Sequence, residues 1–155
     1  MLDTDVESHR AAVDHLLAAP FAEIEDRDGA EWSGPGFRLA ALMESRDFWE
    51  VRDPDVVDAE ERRVEAALHT LAAALTNAWG APTTVELWLY RETDLPDPAA
   101  PGPLGFLAEV ASELRVWQPS GDRWLGLTVG QADPELPFRL LALVGAGMLP
   151  EPPTT

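Results

Sequence analysis

The chain has 155 residues, in which 28 aspartates and glutamates face 11 basic residues and give a formal net charge of −17. This charge excludes nucleic acids and anionic membranes as partners, because phosphate binding requires clustered arginine or lysine. The absence of cysteine excludes disulfides, thiolate metal sites and thiol nucleophiles. A hydrophobic content of 46% is typical of a folded protein, and we expect one α+β domain over residues 1–149.

The N-terminal residues include neither a basic nor an apolar segment, so the sequence predicts no signal peptide. No apolar run approaches the roughly 18 residues of a membrane-spanning helix. We therefore expect a cytoplasmic protein. All basic residues are arginine, while asparagine and isoleucine each occur once, which is typical of a bacterium with a high-GC genome. Such a lineage bias offers a second explanation of the acidity.

The first predicted helix begins at a capping box formed by Thr4 and Glu7, and Pro20 ends it. Turns are predicted at 26–29 and 33–36. Residues 37–43 alternate between apolar and other side chains, which predicts a strand with one buried face. We expect its hairpin partner at 48–52.

The second helix has the strongest signal in the chain. Asp53 and Pro54 supply a typical start, and Gly80 a typical end. Its apolar stripe consists of Val57, Val64, Leu68, Leu71, Leu75 and Trp79. The remaining elements are predicted in this order: a strand at 83–90, a proline-rich loop at 91–103, a helix at 104–112, a hairpin of strands 114–117 and 123–129, a helix in preference to a strand at 136–144, and a disordered tail at 150–155. This order predicts a two-layer α+β fold, with a mostly antiparallel sheet covered on one face by two main helices.

No pattern of catalytic or ligand-binding residues stands out. The three histidines, His9, His15 and His69, lack metal-site spacing, and no phosphate loop or nucleophile motif is present. Acidic pairs are numerous enough to arise by chance, and the expected role of each is a solvated surface. We therefore predict no catalytic, cofactor-binding or metal-ligating residues and no cofactor, and we favour a binding role over an enzymatic one.

The aromatic residues give the most specific functional signal, because six tryptophans are many for this length. Trp88, Tyr90, Trp117 and Trp124 fall on predicted strands. If they formed an exposed row, they would be the candidate partner-binding residues, since tryptophan and tyrosine dominate binding hot spots. The alternative is that another element covers this face of the sheet.

Three functional interpretations follow. The first is a small acidic, non-catalytic interaction protein that binds a basic protein partner, as immunity proteins, antitoxins and chaperone-like adaptors do. The second is an enzyme or small-ligand-binding domain with a carboxylate-lined pocket near loop 91–103. The third is a structural subunit that forms a homodimer through its sheet.

Overall fold

A seven-stranded antiparallel sheet forms the centre of the computed structural model, which describes residues 2–28, 31–90, 102–119 and 121–147. In chain order the elements are α1 (Leu2–Ala18), β1 (Asp26–Asp28), β2 (Glu31–Gly34), β3 (Phe37–Glu44), α2 (Pro54–Trp79), β4 (Thr83–Glu86), a 3₁₀-helix (Leu87–Tyr90), α3 (Gly102–Val110), β5 (Glu113–Trp117), β6 (Arg123–Gly130) and β7 (Arg139–Ala146). The strand order is β1-β2-β3-β7-β6-β5-β4, so the last strand in sequence lies in the middle. The α+β class and the antiparallel sheet are confirmed.

Helices α1 and α2 pack on one face of the sheet. The start of α2 is as predicted: the carboxylate of Asp53 accepts a hydrogen bond from the N–H of Asp55 at 3.2 Å. The helix ends at Gly80, whose φ of 92° suits glycine. Four members of the predicted stripe are buried against the sheet: Val64, Leu68, Leu71 and Leu75. We call the cluster that they form with α1 and the sheet the α2-side core.

Helix α1 is held to the sheet by Arg123 of β6. Its Nη1 donates hydrogen bonds to the carbonyl oxygens of Leu17, at 2.9 Å, and Ala19, at 2.7 Å. The same guanidinium lies 4.1 Å from the ring centroid of Phe21. A helix ends with carbonyls that lack helical partners and carry partial negative charge. Arg123 therefore both satisfies these carbonyls and complements the dipole of α1.

The opposite face of the sheet is covered over part of its area by α3 and the 3₁₀-helix. We call the resulting cluster the α3-side core; its buried side chains are Leu39, Leu87, Tyr90, Leu107, Ala108, Leu114, Val116, Trp124, Leu141 and Leu143. The two main helices thus cover one face as predicted, and shorter elements add a smaller layer on the other.

Trp124 and Gly145 are directly opposite each other on β6 and β7. A Cβ atom at position 145 would lie 2.2 Å from the indole ring, so the ring occupies the space that any side chain there would need. The indole N–H of Trp124 is buried and has no hydrogen-bond partner among the described residues. The ring therefore contributes apolar volume to the α3-side core.

The region before α2 differs from the prediction. Residues 26–28 form β1 instead of a turn, and β2 pairs with β3 through a tight turn at Pro35 and Gly36. Residues 48–52 do not form a strand. The ring of Phe48 is fully buried in the α2-side core, and its N–H donates to the carbonyl of Glu135 at 2.8 Å. One large side chain thus anchors this loop.

Two later elements also differ. The helix favoured at 136–144 is strand β7, because an uninterrupted apolar run suits a strand buried on both faces as well as it suits a helix. The strand predicted at 83–90 ends at Glu86, and the 3₁₀-helix follows. The helix at 104–112 and the hairpin 114–129 are confirmed as α3, β5 and β6. Most of loop 91–103 and the tail 150–155 lie outside the described residues.

The packing of α2 can be tested at Leu71, which has no exposed surface. We expect Leu71→Ala to lower the free energy of unfolding by roughly 2–5 kcal/mol, through lost burial and the cavity left behind. Leu136→Ala is the control, because 36% of Leu136 is exposed. Urea denaturation of both variants measures the difference. Equal small losses would contradict the burial of the α2 stripe.

The contact between Trp124 and position 145 gives a second test. We expect Gly145→Ala to destabilise the fold by about 1–3 kcal/mol or more, because the new methyl group overlaps the indole ring. Gly121→Ala is the matched control, since a Cβ atom there would meet nothing within 4 Å. Thermal unfolding of the two variants makes the comparison, and a melting temperature unchanged by Gly145→Ala would contradict this packing.

Candidate functional site

The structure does not bring the four candidate aromatic residues together on one exposed surface. Trp88 is 61% exposed, whereas Tyr90, Trp117 and Trp124 are 7%, 2% and 3% exposed. Trp117 belongs to the α2-side core, and Tyr90 and Trp124 belong to the α3-side core. For these three residues the structure shows the alternative in which other elements cover the sheet. Trp88 is the member of the set that a partner could reach.

Trp88 lines a groove of about 530 Å³ between α2 and the C-terminal end of α3. Its charged lining side chains are all glutamates: Glu61, Glu65 and Glu109. A smaller hollow of about 170 Å³ continues from it and shares Glu65 with it; its lining adds Glu113 and also Arg115 and His69. We call the two together the acidic groove.

The positions of α2 and β5 explain the acidic lining. Helix α2 packs over β6 and β7, in the middle of the sheet. Glu61, Glu65 and His69 are spaced four residues apart, so they share one side of α2. Glu113 and Arg115 alternate along β5 with the buried Leu114, and so lie on the sheet face that carries α2. Polar side chains thus border the space beside the helix.

At the rim of the groove, Trp88 presents its indole ring to solvent. The ring N–H donates a hydrogen bond to the carboxylate of Glu86 at 3.0 Å, which restricts its orientation. Trp49 is equally exposed, at 62%, but does not line the groove. An exposed indole beside several carboxylates can hold a cationic side chain by both cation–π and charge–charge attraction.

The residues of the acidic groove form no recognisable motif in the sequence. Glu65 and Glu109 are far apart in sequence and border one space only because α2 and α3 flank the same end of the sheet. The spacing of Glu61, Glu65 and His69 was a usable signal, although such spacing is common on solvated helices. The alternative prediction was a carboxylate-lined pocket near loop 91–103, most of which lies outside the described residues.

Glu60, next to Glu61, has a structural role. Its carboxylate accepts hydrogen bonds from the side chain of Arg63 at 3.0 Å and from the backbone N–H of Arg46 at 3.1 Å. These hydrogen bonds, the side-chain bond from Arg63 foremost, hold the pKa of Glu60 below its ordinary value of 4.5. The carboxylate is thus engaged in fixing the loop before α2.

In the described part of the chain, no three histidine or acidic side chains come close enough to hold a metal ion. Nor does any described helix combine the length and apolar character needed to cross a bilayer. Comparison of the chain with protein-family models, curated proteins and solved structures gives no match.

The lowered pKa of Glu60 predicts a pH-dependent contribution to stability. Because the pKa is lower in the folded state, the carboxylate stabilises the fold above pH 4.5, and this contribution is lost as the pH falls through the lowered value. We expect Glu60→Gln to cost less than about 1 kcal/mol at neutral pH. Denaturation curves should converge with those of the unaltered protein in acid. A difference that grows on acidification would contradict this role.

Proposed function

We propose that this protein is a non-catalytic binding protein whose acidic groove receives a basic, extended segment of another protein. The observation that carries the proposal is the lining of the larger hollow, where three glutamates and an exposed tryptophan border a space of about 530 Å³ with no basic side chain among the residues that line it. A lysine or arginine side chain is the natural complement of such a surface.

The distribution of arginine supports this proposal. Several arginines are paired with carboxylates of the same chain, among them Arg52 with Glu135 and Arg139 with Glu44, each at 3.0 Å. Each of these ion pairs neutralises one positive and one negative charge, so the formal net charge of −17 remains with the other carboxylates. The excess negative potential favours fast encounter with a basic partner, at a rate that falls as salt screens the field.

A groove of this kind suits an immunity protein, an antitoxin or a chaperone-like adaptor. Such proteins neutralise or protect a partner by occupying its surface, and they need complementarity instead of catalytic groups. Charge pairs at the groove rim would contribute little affinity each, about 0–1 kcal/mol. Trp88 would supply the anchor, because a desolvated indole ring contributes more than a solvated ion pair.

The contribution of the groove can be separated from that of overall charge. The probe is a short fluorescent peptide in which lysine and arginine alternate with glycine and serine, and fluorescence anisotropy measures its binding. We expect the triple variant Glu61→Gln, Glu65→Gln, Glu109→Gln to bind about tenfold more weakly, because each rim pair is worth up to about 1 kcal/mol.

The matched control is the triple variant Glu7→Gln, Glu23→Gln, Glu50→Gln, which removes the same charge from three exposed positions outside the groove. We expect it to change the affinity by less than about twofold, since charges beyond a Debye length of ~8–10 Å are screened. Equal losses in both triple variants would mean that only the total charge attracts the peptide, and the proposed site would be wrong.

Trp88→Ala tests the anchor. We expect the affinity for the peptide to fall about thirtyfold, which corresponds to the ~2 kcal/mol of a hot-spot residue. Trp49→Ala is the control, because the two side chains are about equally exposed. Both variants should keep their melting temperature. If they bind the peptide equally well, Trp88 is not part of the binding surface.

A further inference from the structure

A second hollow lies on the opposite face of the sheet, between β2, β3 and β7 on one side and α3 on the other. Its volume is about 230 Å³. Its lining is mostly apolar and includes Trp32, Leu39, Ala41, Leu141, Phe106 and Val110. We call it the α3-side cavity. Val110 and Gly130 border both this cavity and the acidic groove, so the two sites lie back to back.

The aromatic wall of the cavity is fixed by contacts within the protein. Trp32 packs edge-to-face against Phe37, with ring centroids 5.2 Å apart, and against Phe106, at 5.8 Å. Its indole N–H donates a hydrogen bond to Glu25 at 2.7 Å. These aromatic side chains are therefore preorganised for a ligand, which lowers the entropic cost of binding.

The charge at the cavity differs from that of the protein as a whole. Its charged lining residues are Arg27, Glu31 and Arg139. Arg139 is paired with Glu44 at 3.0 Å, and Glu31 lies 3.7 Å from Arg38. Arg27 forms no ion pair with any side chain that the structure describes; its guanidinium stacks on Trp32, 3.9 Å from the ring centroid. At its edge the cavity therefore has one cation without an ion-pair partner among the described side chains.

The volume and this cation together define a ligand class. An apolar cavity of about 150 Å³ is large enough to bind benzene. The α3-side cavity, at about 230 Å³, has room for a single aromatic ring with a short substituent. The guanidinium of Arg27 presents paired N–H donors that match a carboxylate. We propose that the cavity binds a small aromatic carboxylate, with its ring against Trp32 and Phe106 and its carboxylate on Arg27.

This site is independent of the acidic groove in its chemistry, because one attracts cations and the other an anion. The α3-side cavity would thus let a strongly acidic protein bind a small negatively charged metabolite. A ring held against Trp32 and Phe106 would also contact α3, the helix that borders both sites.

The test uses three probes of one shape: phenylacetate, its neutral amide phenylacetamide, and the cation phenethylamine. Isothermal titration calorimetry measures their binding to the full chain. We expect phenylacetate to bind about tenfold or more tightly than the amide, the factor expected of one charge-assisted hydrogen bond, and phenethylamine to bind weakest of the three.

Arg27→Gln should remove the preference for phenylacetate, since it deletes the cation, and because Arg27 is exposed we expect the variant to fold. Arg62→Gln, an exposed arginine of α2 outside the cavity, is the matched control and should leave all affinities unchanged. Ala41→Leu should weaken phenylacetate and the amide alike by filling the cavity, with the circular dichroism spectrum and the melting transition confirming that the variant folds.

The outcomes are distinct. Failure of all three probes to bind at millimolar concentrations would overturn the site. Equal affinity for acid and amide, or an acid preference that survives Arg27→Gln, would overturn the role of Arg27. Binding unaffected by Ala41→Leu would place the probes elsewhere and overturn the assignment of the cavity.

Discussion

Strand β7 is the constraint on which the rest of the structure depends, because it is buried on both faces. Leu140, Ala142 and Val144 face the α2-side core, while Leu141 and Leu143 face the α3-side core. Its neighbours β3 and β6 pair with it along most of its length. Every layer of the molecule therefore contacts this strand, and a change of its register by one residue would turn each of its side chains toward the opposite core.

The same constraint explains which parts of the fold could be predicted from the sequence. Helix α2 was readable because its signals are local: Asp53 at the start, Gly80 at the end and a stripe with helical spacing between them. The β5–β6 hairpin was readable from its short loop. Strand β7 could not be predicted in this way, because a strand that is buried on both faces shows no alternation of apolar and polar residues. The burial of Phe48 could not be predicted either, because its ring packs against Phe138, which is distant in sequence.

The candidate site was predictable in character but not in position. Composition indicated an acidic protein with surplus tryptophan, and the acidic groove combines both properties. Nothing local distinguishes Trp88, which is exposed, from Trp117, which is buried, since each directly follows an apolar residue. Which side of the sheet each ring occupies depends on the pairing of β5, β6 and β7. Gly145, which makes room for the ring of Trp124, is a signal that can be interpreted only after that pairing is known.

The outermost strands of the sheet are both short: β1 has three residues and β4 has four. Charged or hydroxyl side chains dominate both, and the chain leaves β4 directly into a 3₁₀-helix. Short polar edge strands offer few main-chain donors and acceptors to a strand from another molecule. The sheet is therefore poorly suited to growth by addition of strands from other copies of the chain.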